Sequence, residues 1–397
     1  MKKALIASLA VLVLLFTGCT AQGGSSMHYA AAPEAAFAGL RSGRVEGGTP
    51  DGSRLLIDSA ATDLILWDVK KGERIPISFP RAQDAQAIVT GRLTSNAVKL
   101  GRDQRDQYLQ KQQEAVDAYL SKRGLETFET LDQIQDCLGN DGPAAFRTRC
   151  IQNNEGFALV YYGSFCLGIN LDTGVSYLVE GLQGINPVLC GSEVLCSEGF
   201  LDLATGQAAA PDLGADQGIE RGIERAVALT LLLEHRFLGV YGTAWLKQDN
   251  NLVHEEYLIL RSLESELQCI SLGECNMSES HNTVLVTADE QHALVFNATG
   301  AHTFGVKLAD LKTGEIRQIE DLLPVAAAEN RFLCYDYKNH KPCLLDPATG
   351  KTVAISTSVT GSDPKWLGPV APFMNAVFNG RLLFPQNETY QGYLVLE

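Results

Sequence analysis

The chain predicts an all-β fold, a seven-bladed β-propeller carrying an inserted α-helical hairpin, and three observations predict it. A strand-turn-strand phrase, Thr49 to Asp58 followed by Leu64 to Glu73, recurs in eroded form along the sequence. Self-similarity at a fixed period marks a repeat architecture. Hairpin tips built on Asp and Gly follow the strand runs at Asp68 to Gly72, Asp172 to Gly174, Asp202 to Gly206, Asp310 to Gly314 and Asp346 to Gly350. Strand starts at Ser53, Gly156, Glu193, His235, His292, Arg331 and Gly380 number seven. From Phe157 to Leu382 they recur about every 45 residues, the length of a four-stranded blade. Six or eight blades are the alternatives.

The N-terminus reads as a targeting signal. Lys2 and Lys3 precede an apolar run from Ala4 to Phe16, closed by Thr17, Gly18 and Cys19. A charged start and an apolar run of this length form a secretory signal, too short to span a bilayer. The junction resembles the lipobox of bacterial lipoproteins, with Phe16 where that family usually has Leu. The resemblance implies that residues 1–18 are removed, that Cys19 carries lipid, and that the chain sits on the extracytoplasmic face of the cell membrane. Residues 19–45 then form a small-residue tether. Its last part is expected to supply the outer strand that closes the ring onto Tyr393 to Glu397.

Residues 46–397 form the propeller, interrupted once. The gap from Arg54 to Phe157 exceeds twice the period, so roughly 55 residues are inserted at about 99–150. Within them Tyr108, Leu109, Ala115, Val116, Tyr119 and Leu120 recur at helical spacing before Gly124. This predicts an amphipathic helix with a glycine stop. Thr130 and Gln133 form a capping box opening a second helix over Leu131, Ile134 and Leu138. The pair reads as a hairpin projecting from the ring and dispensable for its folding. Residues 211–226, with Gly-Ile-Glu-Arg doubled at Gly218 and Gly222, read as a charged loop.

The blade motifs resemble TolB-type and WD40-like propeller repeats, whose blades open on Pro-Asp-Gly and end on Asp-x-x-Thr-Gly. Pro50-Asp51-Gly52 is the full opening motif; the closing motif stands at Asp202, Asp310 and Asp346. The resemblance covers about 345 residues and implies the fold rather than a function, since these residues build turns. The tryptophans that punctuate the propellers of the barrel-assembly lipoprotein and of quinone enzymes are absent.

Composition fits an exported domain: 45% of residues are hydrophobic and the formal charge is −15. Losing Lys2 and Lys3 with the leader takes it to −17, which disfavours nucleic acid as a partner. Eight cysteines fall into sequence-local pairs: Cys137 with Cys150, Cys190 with Cys196, Cys269 with Cys275, and Cys334 with Cys343. Cys166 is left over. A hairpin through Tyr337 to His340 sets Cys334 opposite Cys343, where strand geometry favours a bridge. Export makes local disulfides one reading and reduced core thiols the other. Neither Cys-x-x-Cys spacing nor a neighbouring His supports a metal site.

No nucleophile elbow, phosphate loop or His-Glu-x-x-His is present, and nothing implies a cofactor. His254-Glu255-Glu256 reads as a polar strand start. Candidate binding residues are Trp366, bracketed by Pro364 and Pro369 with Gly368, together with Tyr108 and Tyr119 on the insert. The sequence therefore points to a noncatalytic docking platform for a protein or small ligand. An enzyme with a channel-mouth site, lactonase-like or glycan-active, and an envelope assembly factor are the alternatives.

Overall fold

The computed structural model describes residues 25–38, 43–59, 63–98, 100–138, 148–181, 186–209, 226–231, 237–246, 252–261, 268–275, 281–297, 305–358, 376–385 and 391–397. Its strands form seven sheets, the seven blades of a propeller. Six blades are continuous in sequence: residues 44–75, 148–179, 188–209, 226–275, 283–319 and 322–354. In each, four consecutive strands, here A to D from the axis outward, pair antiparallel. The seventh draws A, B and C from Ala376–Asn379, Leu382–Pro385 and Gly392–Leu396, and D from Ser26–Ala31.

That last pairing closes the ring. Ser26 donates to the Glu397 carbonyl at 2.8 Å, and Glu397 donates back at 2.7 Å. Ser356–Ser358 adds a parallel fifth strand outside Ser26–Ala31. The closing strand thus lies within the stretch read as tether, and the first A strand starts at Arg44, so the ring begins at Ser26 rather than at residue 46.

All seven sequence starts fall on or immediately before B strands, not on the innermost ones. The reason is local: B strands are unbroken buried apolar runs, the plainer signal, and four A strands carry β-bulges, between Val45 and Gly47, Cys150 and Gln152, Ala226 and Ala228, and Pro324 and Ala326. A bulge breaks the two-residue alternation on which strand reading depends.

The tips behave as their residues dictate. At Asp310 the carboxylate accepts the amides of Lys312 and Thr313 at 2.9 and 2.8 Å, and Gly314 donates to the Asp310 carbonyl at 2.9 Å. In blade 2 this role belongs to Asn170, which accepts from Asp172 and Thr173. The tip therefore runs from Asn170 rather than Asp172. Gly174 closes it at φ +76°, and a Cβ there would lie 2.2 Å from the Pro76 carbonyl.

The insert is larger and more deeply embedded than its sequence suggests. Among the described residues it holds three helices: α1 (Ala82–Ala97), α2 (Arg102–Arg123) and α3 (Leu131–Leu138). Gly124 ends α2 at φ +66°. The capping box is reciprocal, with Gln133 N–H on Thr130 Oγ1 and Thr130 N–H on Gln133 Oε1, both at 3.3 Å. Instead of projecting, the helices share one core with blades 1 and 2. Ile88, Val89, Phe128, Leu131 and Ile134 pack with Leu56, Leu66, Val160 and Ile169, all essentially inaccessible to solvent.

The strap between ring and helices is hydrogen-bonded on both sides. Ser78 donates to Gly174 O and Ser176 donates to Ser78 O, at 2.9 and 2.8 Å. Phe79 donates to Glu129 O and Leu131 to Ile77 O, both at 2.8 Å. Asp84, buried on α1, accepts the Leu178 amide at 3.0 Å, covering part of the outer edge of blade 2. An uncovered edge strand is an aggregation liability.

Candidate functional site

A propeller's usual site is the mouth of its channel, where A strands present an edge with no further strand to pair it. Unpaired backbone groups there must find partners. In this ring the Gly48 and Thr148 carbonyls and the Cys150 and Leu189 amides find side chains of neighbouring blades. The Gly48 carbonyl of blade 1 accepts Asn153 Nδ2 of blade 2 at 2.6 Å and Asn379 Nδ2 of blade 7 at 2.7 Å. Asn379 Nδ2 also reaches the Asn154 carbonyl. Leu189 N–H of blade 3 donates to Gln152 Oε1 of blade 2 at 2.7 Å. Gly48 tolerates no side chain here, since a Cβ would lie 2.4 Å from Arg54 O. This corner is a knot of amides joining blades 7, 1 and 2.

The buried carboxylates are engaged in the same way. Glu46, with no exposed surface, bonds Arg44 through one oxygen and accepts the Cys150 amide at 3.1 Å through the other. Arg44 also meets Asp58 at 3.4 Å and donates to Thr148 O at 3.1 Å. Burial raises the Glu46 pKa above its ordinary range against the opposing pull of Arg44. Asp84 is raised by burial too, with the Leu178 amide opposing.

A second buried pair spans blades 4 and 5. Glu256 accepts the His281 backbone N–H at 3.0 Å through Oε1, and Oε2 bonds His281 Nδ1. His281 Nε2 lies 2.6 Å from the Gly305 carbonyl. A carbonyl only accepts, so Nε2 carries a hydrogen and one further proton holds Nδ1 to the carboxylate. Neither side chain exceeds 2% exposure. Glu256, read from sequence as part of a polar strand start, is thus a blade-to-blade clamp. The available signal was its phase: in the strand Leu252–Arg261 it shares a face with Leu258, which is fully buried.

One cleft lies between blades 2 and 3, with a volume of about 370 Å³. Tyr161, Phe165, Glu180 and Asn186 line it, and Tyr161 Oη bonds Asn186 Oδ1 across it. Among the described residues no group of three or more His, Cys, Asp or Glu is placed to hold a metal.

The sequence-predicted surface residues separate. Tyr119 is committed to packing: its ring lies 5.7 Å from that of Phe128 and Arg123 stacks over it at 3.7 Å. Tyr108 is half-buried on α2, a helix exposed along most of its length. Trp366 and Cys19 lie outside the described residues.

The cysteine pairing needs correction. The eight described thiols are all unbonded. Cys269 and Cys275 lie on one strand, Gln268–Cys275. At about 3.3 Å per residue they stand about 20 Å apart. Cys190 faces Glu193, and Cys196 faces Gly199, so that pair is about three residues, or about 10 Å, out of register. Disulfides require Cα atoms within about 7 Å. Cys137 on α3 and Cys150 in blade 2 both border the core between blades 1 and 2. Cys334 and Cys343 stand directly opposite, as the sequence predicts.

No protein-family model matches the chain, and no curated protein matches it. Solved structures resemble it at low identity. The WD40 repeats of RRP9 align over 93% of this chain and 99% of that one, with 10% identity and a TM-score of 0.37. TolB from Acinetobacter baumannii aligns over 86% and 76%, with 11% identity and a TM-score of 0.31. Oligogalacturonate lyase from Vibrio parahaemolyticus aligns over 94% and 97%, with 8% identity and a TM-score of 0.40. At these levels the likeness carries no argument about what the ring binds.

Proposed function

We propose that the chain is an envelope lipoprotein, held to the outer side of the cell membrane through Cys19, whose propeller serves as a noncatalytic docking platform. The observation that supports a binding role is the use of the buried acids. Glu46, Asp58, Asp84 and Glu256 are spent on Arg44, on backbone amides and on His281. Acid/base chemistry needs such groups facing a substrate, with a partner group in reach. These carboxylates hold strands and blades together instead. Tyr108 and the exposed polar face of α2 form the proposed contact surface.

Three measurements test the reading. Cys19→Ala should release the chain from the membrane fraction and abolish lipid labelling; unchanged labelling overturns the anchor. A photoreactive residue replacing Tyr108 should give an adduct of one defined mass in cells, while one replacing Val353, exposed on the outer strand of blade 6, should give none. Turnover of a sugar or lactone by the purified chain would replace the docking reading with the enzymatic one.

A further inference from the structure

We propose that Cys334 and Cys343 are joined by a disulfide in the exported protein. The inference rests on the export reading above. Its structural basis is register. In blade 6, strand Arg331–Asp336 pairs with Lys341–Asp346, and Cys334 is the direct partner of Cys343.

The flanking bonds fix the type of pair. Tyr337 N–H points outward to Asp321 O, and Ile355 N–H reaches Pro342 O from the other side. Backbone direction alternates along a strand, so the amides and carbonyls of Cys334 and Cys343 face each other. That makes them a hydrogen-bonded pair, with Cα atoms about 5.5 Å apart. The spacing lies within the range that disulfides span. Cβ atoms of such a pair start about 5.5 Å apart, about 1 Å beyond the roughly 3.5–4.5 Å a disulfide spans, so closing the bond draws the two strands together locally.

Chemistry and burial set when the bond forms. Two thiols lose two protons and two electrons to a protein or low-molecular-weight disulfide, which leaves as two thiols. The thiolate is the attacking form. In the folded ring Cys334 is fully buried and Cys343 nearly so. Burial pushes Cys343 up to about 12 and Cys334 well above its ordinary range, with the neighbouring thiol adding to the rise at Cys334. Reaction therefore precedes packing, while the hairpin is solvated. Its two cysteines are close in sequence, so they meet without waiting for the ring.

The test is thiol mapping of the full chain exported by a bacterial host. Free thiols are alkylated in denaturant without reductant, and peptides are then assigned by mass. The expected result is a Cys334–Cys343 link, lighter by two hydrogens and protected from alkylation, with neither a Cys190–Cys196 nor a Cys269–Cys275 link. Reduction should lower the thermal midpoint by about 2–5 °C. Full alkylation of both cysteines in the exported chain, or a bridge from either to another cysteine, overturns the proposal. Should the chain remain in the cytosol, the export reading fails by itself. Refolding the purified chain with oxidised glutathione then decides the pairing: a Cys334–Cys343 link supports it, and two free thiols overturn it.

Discussion

The junction between blades 1 and 2 and that between blades 5 and 6 solve one packing problem with different material. Blades 5 and 6 meet directly, through Leu294, Phe296, Leu308, Phe332 and Leu345. Blades 1 and 2 meet through helices as well, with Phe128, Leu131 and Ile134 contributing to the same core as Leu66 and Val160. The junction of blades 1 and 2 also holds carboxylates that burial raises, Glu46 and Asp84, whereas the solvent-facing tips hold carboxylates that hydrogen bonds lower. An insertion in a repeat protein can thus become part of the core it interrupts.

Replacing residues 80–138 with a Gly/Ser linker breaks this comparison most severely. Loss of a cooperative thermal transition is expected, because Ile77, Phe79 and the outer edge of blade 2 would lie bare. A ring that still melts cooperatively near the parent midpoint would show the helices to be an appendage.

Single substitutions sharpen it. Phe128→Ala and Phe332→Ala remove equally buried rings, one from each junction. Each should lower stability by about 3–5 kcal/mol in a denaturant titration. A near-neutral Phe128→Ala would contradict the shared core. Across blades 4 and 5, Glu256→Ala should cost a similar amount, about 3–5 kcal/mol, since it strands His281 without its buried partner. A double-mutant cycle with His281→Ala should return strong coupling.

The two kinds of carboxylate should respond to pH with opposite sign. Asp310 is held below its ordinary 3.8, chiefly by the Thr313 amide. Its contribution is present above pH 3.8 and is lost as pH falls through the folded value. Glu46 is raised above 4.5 by burial, so its contribution is present below pH 4.5 and is lost as pH rises through the folded value. The penalty of Asp310→Asn should therefore shrink in acid, while that of Glu46→Gln should shrink as pH rises. Stability measured by urea titration across pH 3 to 8 checks both. The smallest effect belongs to Tyr108→Ala, expected to change stability by less than about 0.5 kcal/mol as a surface substitution. A larger loss would place Tyr108 in the core and remove it from the proposed contact surface.

The ring itself was legible in the sequence because its information is local. B strands are short unbroken apolar runs buried on both faces, tips keep Asp or Asn and Gly, and the Cys334 hairpin fixes its own register. What was hidden is nonlocal. Helix α1 carries only Ile88, Val89 and Leu93 as a large-residue apolar stripe and includes Gly91, so its period is faint. Glu46 and Cys150 are joined by a hydrogen bond across 104 residues, and Glu256 meets His281 only through the blade interface. Cysteine spacing misled for a related reason: proximity in sequence places Cys269 and Cys275 on one extended strand, where proximity in space is lost.

Native-state hydrogen exchange, followed by mass spectrometry, tests most directly whether the insert belongs to the ring. Amides of α3 should exchange together with those of Phe157–Tyr162 in blade 2, at matching opening free energies and with the same denaturant dependence. Exchange of α3 at far lower opening free energy, with blade 2 still protected, would contradict a shared core.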